Sequence, residues 1–133
     1  VGWTDYTLET ELVPLVGDYH NVNVRVQGAL RSYAFGLAPD GKIALYRKDK
    51  AYKLLASAPF VWSHGVPYRL SVQVEGDTLT THISDPHGQT QHIKAVDKSY
   101  RSGQFGFSTW HGSHTRYQWL WIHANDPSDR RGC

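Results

Sequence analysis

The residues best equipped for chemistry crowd one stretch near the C-terminal end. Trp110-His111-Gly112-Ser113-His114-Thr115-Arg116-Tyr117-Gln118-Trp119 holds two indoles, two imidazoles and a guanidinium in ten residues. A flat ring stacks on the C–H face of a sugar, and planar polar groups bind its hydroxyls. If Leu120 and Ile122 face a core, Trp119 and Trp121 face outward together. The opposed expectation is that both indoles are core and the register is bulged, since Trp is mostly buried on average. His111 and His114 form His-x-x-His, a spacing that can hold a metal. It supplies only two local ligands with no Cys partner, so no metal site is expected.

Glu9-Thr10-Glu11 is the other candidate. Two carboxylates at i, i+2 on a strand share a face about 7 Å apart, near the separation of paired glycosidase carboxylates. Leu8 and Leu12 occupy the alternate side, so the expectation is a solvated polar face without catalysis. No Gly-x-Ser-x-Gly elbow and no phosphate-binding glycine loop is present. No cofactor is expected. Structural calcium would need clustered oxygens, yet Asp40, Asp77, Asp85 and Asp97 are spread over different turns. Cys133, the sole cysteine, closes the chain, so no internal disulfide can form.

The elements that must position these groups are strands. The chain has 133 residues, a net charge of +2 and 13% aromatics. This length predicts a single domain over residues 1–125, followed by a tail at 126–133. The charge is too slight for a phosphate-binding face, which argues against nucleic acid. No apolar run approaches the roughly 20 residues of a membrane helix, and no signal peptide is visible. The lack of Met suggests a mature fragment or an excised domain.

Period-two alternation runs through most of the chain. It predicts strands at 6–13 (stopped by Pro14), 22–27, 32–38, 43–48, 53–57, 68–75, 78–84, 92–96, 103–110 and 117–123. About ten short strands point to an all-β antiparallel sandwich or jelly roll. At Pro39-Asp40-Gly41, a type I turn with a left-handed Gly sets Ala38 opposite Lys42. Tyr33, Phe35, Leu37, Ile43, Leu45 and Arg47 then share the core side. The outward side carries Ser32, Ala34, Gly36, Ala44, Tyr46 and Lys48. In the strand from Gly103, Phe105 and Phe107 point inward, and Gln104, Gly106, Ser108 and Trp110 outward. Small residues rimmed by aromatics make a shallow trough, unless a crossing segment covers them. Asn23 and Arg25 alternate outward beside it, where Arg25 would bind ligand or form a cross-strand salt bridge.

These segments resemble the concanavalin A-like sandwich domains. Trp3-Thr4-Asp5-Tyr6-Thr7-Leu8-Glu9 is similar to their "W-x-D-Y-x-L/F-E" opening. Arg25 fits an apolar-x-Arg-apolar step. Tyr33-Ala34-Phe35-Gly36-Leu37, Asp40-Gly41 and Ile43 to Lys48 resemble the "Y-x-F-x-L…D-G-x-x-x-L-x-K" hairpin. Trp62 with Tyr68 to Val72, and Gly103 to Phe107, match two later motifs. The resemblance covers roughly residues 3 to 124 and includes laminin-G-like domains, keto-disaccharide hydrolase domains and family 66 carbohydrate-binding modules of fructan-degrading enzymes. Such domains usually have one more strand ahead of the "W-x-D-Y" segment.

The resemblance implies a non-catalytic carbohydrate-binding module of a larger secreted enzyme, with an oligo- or polysaccharide as partner. The ligand-binding residues it suggests are Asn23, Arg25, Tyr46, Lys48, Trp110, His111, His114 and Trp119. The alternatives are a glycoside hydrolase or lyase using Glu9 and Glu11, and a laminin-G-type protein-interaction domain. A buried carboxylate pair in a groove favours the enzyme. A broad apolar patch favours the interaction domain.

Overall fold

The computed structural model describes residues 5–28, 31–49, 51–100, 104–110 and 114–124; the side chains of 27, 28, 104–110 and 124 are not among those described. Ten strands occupy most of this length: β1 (Tyr6–Val16), β2 (Tyr19–Gly28), β3 (Arg31–Ala38), β4 (Lys42–Asp49), β5 (Ala51–Pro59), β6 (Tyr68–Glu75), β7 (Thr78–Ser84), β8 (Thr90–Val96), β9 (Gln104–Trp110) and β10 (His114–Ala124). They form two five-stranded sheets, ordered β10-β1-β6-β7-β8 and β5-β4-β3-β2-β9. Every pairing among these strands is antiparallel.

Alternation explains why two sheets pack. Leu8, Leu12, Leu70, Val72, Val74, Leu79 and Ile83 from one sheet meet Val22, Val24, Phe35, Leu37, Ile43 and Leu45 from the other in one buried cluster. Burying each such side chain is worth about 1.5–3 kcal/mol. The alternate residues are left to the two outer faces, so anything this domain recognises through a sheet must sit on one of those faces.

The β3–β4 hairpin has the register the sequence predicts: Ala38 opposes Lys42, Leu37 opposes Ile43, Phe35 opposes Leu45 and Tyr33 opposes Arg47. Gly41 has φ +64°. Asp40 also has a positive φ, +67°, so the tip carries two left-handed residues rather than the single one expected. Asp tolerates that region better than most residues.

Pro14 does not end β1. The strand pairs with β6 only as far as Leu12, and beyond that with β10 alone. Pro14 therefore sits where one side of the strand has become an edge and no ladder N–H is needed. Its carbonyl accepts a bond from the Gly65 N–H at 2.8 Å.

Candidate functional site

The outer face of the β5-β4-β3-β2-β9 sheet is built from short side chains. Asn23, Ala34, Tyr46 and Leu54 form one row across β2 to β5; Asn21, Gly36, Ala44 and Ser57 form the next; Ser32, Lys48 and Tyr52 form a third. Asn21, Asn23, Ser32, Ala34 and Ala44 are buried although they point away from the core. The floor is thus covered rather than an open trough. Tyr46 is half-buried, and burial raises its phenol pKa, with Tyr19 adding to the rise. Tyr46 packs edge-on against Tyr52 at 6.3 Å, and the Lys48 ammonium lies 5.7 Å from the Tyr52 ring centre.

Gly36 has a structural reason. A Cβ there would collide with the His20 carbonyl oxygen on the neighbouring strand. The absence of a side chain lets β2 approach β3 closely at this point.

Among the described residues, two polar atoms on this floor lack partners. Asn23 Nδ2 donates to Ser32 Oγ at 3.0 Å. Asn23 Oδ1 and Asn21 Nδ2 are buried without a hydrogen bond. An unmet buried amide group costs about 1–3 kcal/mol. The two residues stand i, i+2 on one strand face and offer one acceptor and one donor side by side. The sequence reading found Asn23 but passed over Asn21, Tyr19 and Tyr52. The same period of two, continued from Asn23, reaches Asn21 and Tyr19.

The eight sequence candidates do not converge. Asn23, Tyr46 and Lys48 share this face. Trp110 pairs through its backbone with Tyr19 at the end of the same sheet, but its side chain lies outside the described residues. His111 lies outside them altogether. His114 and Trp119 belong to β10, in the opposite sheet.

Arg25 is a correction. Strict alternation predicts an outward side chain, yet it is fully buried. Register shifts interrupt β2 on both sides around Arg25, and its φ is +49°. This bulge redirects the side chain. Nη1 donates to the carbonyls of Gly76 (2.5 Å) and Tyr100 (3.0 Å), and Nη2 reaches Asp5 Oδ1 at 3.3 Å. The Arg25 N–H donates to Tyr6 Oη at 2.7 Å. The salt bridge expected as the alternative forms with Asp5, just ahead of β1, as one part of a clamp that also holds the β6–β7 turn and the segment before β9.

Glu9 and Glu11 lie on the outer face of the opposite sheet and are partly exposed. Glu11 pairs with Arg69 at 3.4 Å, and Glu9 lies 3.7 Å from His123. Among the described residues, no three of His, Cys, Asp and Glu gather into a metal-binding group.

No protein-family model matches the sequence, and no curated protein matches it. Solved structures do. The chain superposes on the carbohydrate binding module CBM66 from Bacillus subtilis with a TM-score of 0.81 at 19% identity, covering 93% of this chain and 78% of that one. It matches a single mutant of congerin II with a TM-score of 0.65 at 10% identity, over 92% of this chain and 95% of that one. It also matches the GH43 BlXynB protein from Bacillus licheniformis, with a TM-score of 0.65 at 11% identity, over 91% of this chain and 28% of that one. At these identities the likeness is one of fold.

Proposed function

We propose that this chain, whose fold is that of the concanavalin A-like sandwiches, is a non-catalytic module that binds an uncharged oligo- or polysaccharide on the outer face of β2, β3 and β4. The observation that carries the reading is the unpartnered pair Asn21 Nδ2 and Asn23 Oδ1. A sugar hydroxyl accepts from one and donates to the other, which is what a vicinal diol needs. Tyr46 and Tyr52 supply ring faces beside them, and Lys48 a further donor. Both amide atoms are buried, so a ligand reaches them when the groups around them move aside. The resemblance to modules of secreted carbohydrate-active enzymes supports the same role, as one part of a longer secreted chain.

The experiment is calorimetric titration with a panel of neutral oligosaccharides, beginning with fructo-oligosaccharides. Asn23→Ala should weaken binding by one hydrogen bond, about 0.5–1.5 kcal/mol, a several-fold loss. Tyr46→Ala should lose about as much in ring contact. Unchanged affinity in both variants, with the melting temperature retained, would place binding elsewhere.

A further inference from the structure

The opposite face of the sandwich carries a second set of groups that the site above does not use. On β10, Trp119 and Trp121 are 40% and 62% exposed, although both stand on one strand of the sheet. Each is aligned across β1 with a carboxylate: Trp119 with Glu11, and Trp121 with Glu9. Successive outward residues of a strand are about 7 Å apart, so the two indoles form adjacent platforms. Exposed indoles do nothing for the core and leave large apolar area in water, which marks an interaction site.

A cleft of about 270 Å³ opens beside Trp119, lined also by Glu9, Arg69, Ser71, His82 and Ser84. A second hollow of about 160 Å³, lined by Glu11 and Asp85 among others, shares Arg69 and Ser84 with it. The Arg69 side chain, 71% exposed, lies over the Trp119 ring at 5.9 Å and pairs with Glu11 at 3.4 Å. Leu70, Ile83 and Thr90 complete the cleft's lining, so it offers apolar contact together with hydroxyl, carboxylate, imidazole and guanidinium groups. A protein partner would need a broader apolar patch. Carboxylates accept hydrogen bonds from hydroxyls, and the two hollows hold Glu9, Glu11 and Asp85 against the single guanidinium of Arg69, itself paired with Glu11, a balance that disfavours an anionic ligand.

We infer that the outer face of β10, β1, β6 and β7 is a second, separate binding site for an uncharged saccharide, with Trp119 as its stacking platform. The inference rests on the reading of this chain as a saccharide binder, but on different residues. The two sites lie back to back, separated by both sheets and the core between them, which spans about 10 Å. One short oligosaccharide cannot touch both. The domain is therefore bivalent and gains avidity on a polysaccharide, where neighbouring chains present many copies of the ligand.

The test is calorimetry and indole N–H NMR on the whole chain, using fructo-oligosaccharides and xylo-oligosaccharides as probes and an oligogalacturonide as the anionic control. The expected result is two equivalents bound in the wild type, with one of them weakened several-fold in Trp119→Ala and the other weakened several-fold in Tyr46→Ala. The Trp119 indole signal should still move in Tyr46→Ala, and the oligogalacturonide should move nothing. Arg69→Ala is the second variant, should Trp119→Ala fold poorly, and it should weaken the same equivalent as Trp119→Ala. A single equivalent weakened by Trp119→Ala and untouched by Tyr46→Ala would support this site and remove the first. A single equivalent weakened by Tyr46→Ala and untouched by Trp119→Ala would overturn it. No binding by any probe would overturn both, and a dimer that Trp119→Ala dissociates would overturn it by assigning the indoles to a contact between copies.

Discussion

Arg25 shows how one residue changes sides. Its neighbours alternate, and alternation alone sends it outward beside Asn23. The left-handed backbone at this position turns it into the protein instead, where three carbonyl and carboxylate acceptors hold it. Burial lowers its pKa, and Asp5 opposes the shift. The residue is a structural clamp, so its loss should be read in stability. Arg25→Ala strands the Gly76 and Tyr100 carbonyls and leaves Asp5 without its partner. Breaking a buried pair of this kind costs about 3–5 kcal/mol; the half-exposure of Asp5 favours the lower end. Arg25→Lys should recover little, because one ammonium cannot fork across three acceptors. Chemical denaturation checks this: a midpoint unchanged in Arg25→Ala would return the side chain to the surface.

At the scale of elements, His20 joins three of them. It is buried on β2, and in one neutral tautomer its Nε2–H donates to the Gly17 carbonyl at 2.8 Å while its Nδ1 accepts from Thr115 Oγ1 at 2.5 Å, at the start of β10. Trp62 packs edge-on against it at 5.4 Å, and His64 also donates to the Gly17 carbonyl, at 2.7 Å. Burial lowers the His20 pKa below its ordinary 6.5; the Gly17 bond and Asp18 oppose the shift, and His64 adds to it. Below 6.5 the unfolded chain therefore binds more protons than the folded one. The contribution of neutral His20 is complete above 6.5 and is lost as pH falls toward the folded-state value. Asp97 follows lower down. Burial pushes its carboxyl up, but bonds from Tyr33, Ser99 and Arg47 outweigh it and hold the pKa below 3.8, so its contribution fades only in stronger acid. Thermal melts between about pH 7.5 and about pH 5 should show a falling melting temperature in the wild type and a flatter profile in His20→Gln. Equal slopes in the two would remove His20 from the account.

The elements were legible where local alternation governs. The limits of β6 and β7 and the β3–β4 register follow from hydrophobic period and turn chemistry alone. Three features were not legible in this way. The bulge at Arg25 is set by partners far away in sequence. β1 continues through Pro14 because β6 has already ended. The sequence also placed Trp119 with Asn23 and Tyr46, although β10 pairs with β1, in the sheet opposite β2 and β4. Sheet membership is decided by long-range pairing, which alternation within a strand does not encode.

At the scale of the whole molecule, the sandwich leaves two outer faces, and each carries a different kind of surface. One is a closed floor of small residues and buried amides on the sheet that also carries Tyr46 and Tyr52. The other is an open cleft of mixed apolar and polar lining beside exposed indoles. The fold is shared with CBM66 from Bacillus subtilis. The central claim is that Asn21 Nδ2 and Asn23 Oδ1 stay unpartnered until a sugar supplies the missing bonds. The most direct measurement is the NMR signal of their side-chain amide groups during titration with a bound neutral oligosaccharide. The account predicts that both amide signals shift with the same saturation curve as the calorimetric binding at the Tyr46 face, and that Asn23→Ala weakens this curve several-fold. Saturation of the protein with both amide signals unmoved would contradict it.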